Sequence, residues 1–174
     1  MTALVVRTRV RLARNIEGIP FASRQSTEDA EHIVACCTKQ IMENPALKDV
    51  FTVQKSSSLS DAERVSLAER HLISPEFARS TLPRAVCLSA DNGISVMVNE
   101  EDHIREQYLV RGGNLAGAFE KLSGLDKWLD VTLNFCRNER YGYITACPTN
   151  LGTGMRASMM TFLPAHVKLG KLDE

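Results

Sequence analysis

Neither sign of charge is in excess: Lys plus Arg and Asp plus Glu both number 21 in the 174 residues. A chain without net charge does not attract nucleic acid or an anionic membrane as a whole, so any electrostatic recognition has to be local. Long apolar runs are also missing. The longest fall far short of the roughly 20 residues that cross a bilayer. Residues 1–14 hold four arginines and none of the apolar stretch that a secretory leader needs. No repeat or low-complexity tract is present. The five cysteines, Cys36, Cys37, Cys87, Cys136 and Cys147, include no C-x-x-C pair. Their odd number and spacing read as reduced thiols, not as a zinc clamp or a disulfide scaffold. The expectation is a soluble cytoplasmic chain with no nucleic-acid or membrane partner. With 44% hydrophobic and 24% charged residues it is not a disordered chain. Its length suits a single domain over residues 1–174.

Periodicity supplies the elements. Residues 4–12 alternate, with Val6, Thr8, Val10 and Leu12 on one face and Val5, Arg7, Arg9 and Arg11 on the other, a strand with a guanidinium row. Ala30, Ile33, Val34, Cys37 and Ile41 mark an amphipathic helix over 27–43. Ser60 with Glu63 makes a capping box for a helix running to about His71. Residues 55–58 read as a loop. The runs 85–88 and 94–98, joined through Asn92-Gly93, predict a hairpin. Helical spacing extends from Leu115 through Phe119, Leu122, Leu129 and Leu133 to Cys136, predicting a helix over 114–137. A short strand is expected at 141–146. After a glycine-containing loop, the apolar segment 155–163 is expected to be helical. Strands and helices intermix with an antiparallel hairpin, which predicts an α/β (α+β) domain with a largely antiparallel sheet flanked by helices.

Three constellations can carry chemistry. Arg7, Arg9 and Arg11 are spaced about 6.6 Å apart along one strand face, so neighbouring guanidinium groups can grip successive phosphates. The alternative is a solvated edge-strand face. Residues 99–105, Asn-Glu-Glu-Asp-His-Ile-Arg, follow a strand directly. At a strand end facing a cleft the carboxylates can bind a cation and accept its proton, while Arg105 holds an anion; otherwise the run is a solvated turn. In residues 147–156, Cys-Pro-Thr-Asn-Leu-Gly-Thr-Gly-Met-Arg, the glycines open the expected helix, whose free amides could meet an anion. No Lys-Ser/Thr follows them, which excludes a Walker-type loop. Arginines and a helix start nearby would favour the Cys147 thiolate. Arginines for phosphates, carboxylates for a cation and a thiolate together suit phosphoryl transfer to a positively charged nitrogen.

At these residues the sequence resembles the ATP:guanido phosphotransferase (phosphagen kinase) family, most of all its bacterial protein-arginine kinase branch. The S-[ST]-R-[VI]-R-x-x-R signature corresponds to residues 7–14, with Arg7 in place of a small serine. Residues 99–105 match N-E-E-D-H-[LI]-R, residues 147–156 match C-P-[ST]-N-[LV]-G-T-G-[LM]-R, and residues 69–75 are similar to the branch's [EK]-[RK]-H-L-I-S-P. The resemblance implies that Arg9, Arg11, Arg105 and Arg156 contact nucleotide phosphates, with His71 near the nucleotide. It implies that Glu100 is the guanidinium-binding base, seconded by Glu101, and that Cys147 lies beside the guanidinium. It implies ATP with Mg2+ carried on its phosphates, and protein substrates with exposed arginine, marked for Clp-type degradation. An activator protein, Clp protease machinery and a homodimer are the further partners it implies. The family's catalytic domain continues past the equivalent of residue 164, whereas this chain ends in a polar tail over 168–174. The expectation is therefore about two thirds of a catalytic domain with an open sheet edge. The rival readings are a non-catalytic fragment that binds nucleotide or phosphoarginine, and a kinase of free arginine.

Overall fold

Strand β1 (Val5–Arg14) follows from the alternation at the start of the chain, buried at Thr8, Val10 and Leu12 and open to the groove at Arg7, Arg9 and Arg11. It runs two residues past the expected end, into a buried Arg14. The computed structural model describes residues 4–45, 47–48 and 50–171. Helix α1 (Thr27–Glu43) has its bounds where the periodicity put them, opened by a Ser26–Asp29 capping box, and it buries the five anticipated apolar residues. Strand β2 (Phe51–Lys55) leads through a 3-10 turn at Ser56–Ser58 to α2 (Asp61–Glu69). The Ser60–Glu63 capping box opens α2 as predicted, but it ends before His71, whose φ of +62° leaves the helical region. A short α3 (Pro75–Arg79) starts on the N-cap Ser74.

The predicted hairpin is β3 (Ala85–Ser89) and β4 (Ile94–Val98), with Asn92 in the left-handed conformation at the turn. Strand β5 (Ile104–Arg111) follows, then α4 (Leu115–Leu133). This helix stops short of 137 because Asn134 turns left-handed at φ +54°, and Arg137–Asn138 forms β6 against β7 (Gly142–Tyr143). Only those two residues of the expected 141–146 strand pair. Residues 155–163 are not helical: Met155–Thr161 is strand β8, followed by α5 (Pro164–Leu169). Pairing with β1 decides this, since Arg156 and Ser158 lie opposite Arg11 and Arg9, and tertiary pairing overrides a weak local preference. Of the polar tail, residues 172–174 lie outside the described residues.

Six strands form one sheet in the order β2-β3-β4-β5-β1-β8; its antiparallel pairing is as the sequence led one to expect, whereas its strand order was not read from the sequence. Helices α1 and α4 cover one face, burying Val10, Leu12, Val96, Ile104, Leu122 and Leu129. On the other face, Val86, Leu88 and Met97 pack with Leu67, Leu72, Ile73 and Phe77 from the α2–α3 segment. That segment covers only the β3–β4 half. The β5-β1-β8 half of the same face is left as an open groove lined with arginines. β8 is an edge strand, exposed along most of its length.

Candidate active site

Antiparallel partners directly opposite each other share a sheet face, so the register assembles the groove. Arg11 stands between Gln107 of β5 and Arg156 of β8, and Arg9 between Leu109 and Ser158. Arg105 lies one pair further along, opposite Ala13. A cavity of about 160 Å³ at the end of this row is lined by Arg11, Glu100, Glu101, Arg105, Cys147 and Arg156, among others. The structure thus brings six of the residues named from the sequence around one cavity. Arg9 and His71 line the adjoining cavity of about 320 Å³, together with Arg7 and the apolar Leu109, Met159 and Met160. Gln107 donates a 2.6 Å hydrogen bond to the His71 carbonyl and so ties that residue to the groove edge.

The arginines are crowded. Burial, then Arg105 and Arg156, lower the pKa of Arg9; burial, then Arg9, Arg105 and Arg156, bring Arg11 down to about 10. Among the described residues the Arg11 Nε is buried with no acceptor. Mutual repulsion and an orphaned donor are both relieved by an anion carrying several oxygens, and a polyphosphate fits this donor set.

Glu100 is held on every side. Its Oε1 accepts from Ser74 Oγ at 2.6 Å and from Arg105 Nη1 at 2.8 Å, and its Oε2 accepts from the Glu101 amide at 2.8 Å. Burial works against its ionisation, but Arg105 and these hydrogen bonds outweigh it, and the pKa lies below the usual carboxylate value. Glu101 is exposed, and its pKa is raised by partial burial and by Asp102 and Glu100. Two neighbouring carboxylates are therefore pushed apart in proton affinity, a pattern associated with divided roles.

The acidic run is not a solvated turn: Glu100 and Asp102 are 7% and 2% exposed. Asp102 Oδ1 accepts from Asn15 Nδ2 at 2.6 Å and from the Ala146 amide at 2.7 Å, so it fastens the cysteine-bearing segment to the end of β1. Asn99, left-handed at φ +60°, donates to the Ala30 and Pro83 carbonyls. Asparagine tolerates that conformation better than most residues. His103 accepts from the Ile16 amide through Nδ1 and donates through Nε2 to the Pro20 carbonyl. Sequence reasoning missed Ser74 as the holder of Glu100. Its N-cap role was legible from the Ser-Pro pair; its reach to Glu100 was not.

The 147–156 loop differs from its expectation as well. It contains a 3-10 turn at Pro148–Asn150 and enters a strand, so there is no helix N-terminus at the glycines. Two of the expected amides are occupied: Gly152 donates to Tyr143 and Gly154 to Asn150. Gly154, at φ +59°, leaves no room for a Cβ against Arg14 and the Ala13 carbonyl. Arg14 anchors the loop from below. It donates to the Thr153 carbonyl at 3.1 Å, pairs with both Asp126 oxygens at 2.8 and 3.0 Å, and stacks 3.6 Å from the Tyr143 ring centroid.

Cys147 is half-buried, with Sγ 3.0 Å from Thr149 Oγ1. Burial raises the pKa of Cys37, pushes that of Cys87 up to about 12, and with Glu17 pushes that of Cys136 up to about 11. Limited alkylation at neutral pH, read by mass spectrometry, should therefore label Cys147 before the other four. Cys147 is half-buried on the wall of the cavity that also holds Arg11, Arg105 and Arg156, whereas Cys37 and Cys87 are buried. First labelling at Cys36, which lies 3.5 Å from His32 Nε2, would overturn this expectation.

Comparison with known proteins agrees with this geometry. The model of the ATP:guanido phosphotransferase C-terminal catalytic domain matches residues 32–174. A protein-arginine kinase of Geobacillus stearothermophilus is 45% identical over 165 residues, covering 94% of this chain and 46% of that protein. One from Halothermothrix orenii is 40% identical, covering 93% and 46%. The chain thus spans about half the length of the curated relatives it matches. Among solved structures, the duplicated taurocyamine kinase of Schistosoma mansoni with bound transition-state-analogue components superposes with a TM-score of 0.87 at 28% identity, covering 97% of this chain and 25% of that one. Lombricine kinase shares the fold, with a TM-score of 0.81 at 23% identity over 94% of this chain and 49% of its own. Signatures, sheet and family match converge, and the chain belongs to the ATP:guanido phosphotransferase family.

Proposed function

We propose that this chain takes part in transferring the γ-phosphoryl group of ATP to the guanidinium of arginine side chains in proteins. One observation carries the reading. A row of guanidinium groups, Arg9, Arg11, Arg105 and Arg156, meets the held carboxylate Glu100 and the freer Glu101 at one end of a groove. In this reading the arginines grip the phosphates and His71 stands by the nucleoside end. Magnesium is carried on the phosphates, where it offsets charge on the transferring group.

The acceptor guanidinium is cationic and must lose a proton as its nitrogen bonds to phosphorus and the bond from phosphorus to the ADP oxygen breaks. Glu100 orients it and takes that proton, with Glu101 beside it. Arg105 connects the two halves of the site. Apart from burial, which opposes ionisation, it is the largest influence on Glu100. When Arg105 engages phosphate it is drawn from Glu100, whose proton affinity then rises. Cys147, on the wall of the same cavity, stands beside the acceptor in this reading. The protein acceptor follows the names of the bacterial relatives. A fate in Clp-type degradation, an activator protein, a homodimer and a cytoplasmic setting belong to the same reading through the resemblance.

Charge reversal at Arg9 and Arg11, both to Glu, should abolish ATP binding measured by calorimetry. Reversal of the exposed Lys48 should leave it unchanged. Equal ATP affinity in the two variants would overturn the phosphate assignment.

A further inference from the structure

Apart from the arginine groove, a cavity of about 650 Å³ lies between α1, the turn after β2, α2 and the segment joining α3 to β3. Its walls carry Lys55, Arg64, Arg79 and Arg84 against one carboxylate, Glu31. A concave site lined by one sign of charge concentrates counter-ions. The cationic groups differ in what already occupies them. Arg64 donates twice to the Leu59 carbonyl, at 3.2 and 3.0 Å. Lys55 and Arg79 are exposed, and among the described residues neither has a carboxylate at ion-pair distance.

Arg84 is the second observation. It is 8% exposed, and its Nε is buried with no acceptor. Nη1 donates to the Glu76 carbonyl and Nη2 to the Glu100 carbonyl, each at 3.2 Å. A buried guanidinium without a carboxylate partner is costly, and an oxyanion would satisfy it. Ser57 adds a hydroxyl to the same wall.

We propose that this cavity is a second anion site, taking a phosphate monoester or the phosphoryl group of a modified side chain, with Arg84 joining its wall to the backbone of Glu100. Both sources present the same chemistry, a compact dianion with several acceptor oxygens. The volume leaves room for the organic group that carries it. Burial lowers the pKa of Arg84, and the Glu100 carboxylate offsets this only in part.

The test separates this cavity from the groove. In the Arg9→Glu/Arg11→Glu chain, whose groove is disabled for phosphate, titration with inorganic phosphate at constant ionic strength should still show one site. Adding Lys55→Glu and Arg79→Glu should weaken that site at least tenfold. Both side chains are exposed, so the fold is unaffected, as circular dichroism would verify. A phosphoserine peptide that binds at least tenfold tighter than inorganic phosphate would identify a modified side chain as the source, and equal affinity a free phosphate ester. No phosphate binding in the groove-disabled chain, or binding indifferent to Lys55 and Arg79, would overturn the proposal. Failure of the groove assignment would show separately, as ATP binding that survives reversal of Arg9 and Arg11.

Discussion

Replacing Glu100 by glutamine should reduce arginine phosphorylation by about 100-fold or more, the usual worth of a general base, while ATP affinity changes little. Glutamine keeps the shape and one acceptor for Ser74 and Arg105 but loses the charge that orients a guanidinium and the lone pair that takes its proton. The measurement is transfer of labelled phosphate from ATP to an arginine-containing protein, with ATP binding followed in parallel. Glu101→Gln is the informative companion. Glu101 has the raised pKa and makes no side-chain hydrogen bond among those described, whereas Glu100 is fixed by three. A base must be aligned before its pKa matters, so the loss should be larger at Glu100. Transfer at the parent rate by Glu100→Gln would move the role to Glu101.

Asp126→Ala should destabilise the fold by about 3–5 kcal/mol, because it strands a buried guanidinium. Arg14 is 3% exposed and meets Asp126 with two hydrogen bonds. Removing one partner of a buried ion pair costs far more than the pair is worth against an apolar replacement. The double variant Arg14→Met/Asp126→Leu should therefore recover much of the loss. Chemical denaturation measures both. A loss under about 1 kcal/mol in Asp126→Ala, the value of an exposed pair, would show that the pair is effectively solvated. Glu106 shares this pocket, fully buried, with burial and then Asp126 raising its pKa well above the carboxylate range. A neutral Glu106 does not compete with Asp126 for the Arg14 guanidinium, and both of its oxygens are without a hydrogen-bond partner among the described residues.

Much of this was written in short-range order. The alternation of residues 5–12, the stripe of α1, the Ser60–Glu63 cap and the hairpin at Asn92 are local patterns, and local patterns set local structure. The clustering of the candidate site residues was legible for a related reason. Arginines, paired carboxylates and a cysteine in fixed spacing are residue types chosen by chemistry, and the structure gathers them in one groove. Strand β5 was not legible. Its inward face reads Ile104, Glu106, Tyr108 and Val110, and a buried glutamate breaks the apolar period that signals a strand. It became a strand because β1 and β4 flank it on both sides.

Only tertiary pairing decided β8, where an apolar run compatible with a helix is drawn out by hydrogen bonds to β1. The same pairing removed the helix terminus expected to serve the glycine loop and put Arg156 opposite Arg11 instead. The acidic run shows the division most directly. Sequence supplied three consecutive carboxylates, and the fold gave them different lives: Glu100 is gripped by Ser74 and Arg105, Glu101 is exposed, and Asp102 is spent on Asn15 and Ala146. Their partners lie 26 residues away for Ser74 and 87 for Asn15. Which carboxylate is ionised, and which is free to act, is set by burial and by those distant donors; neither is a property of the run itself.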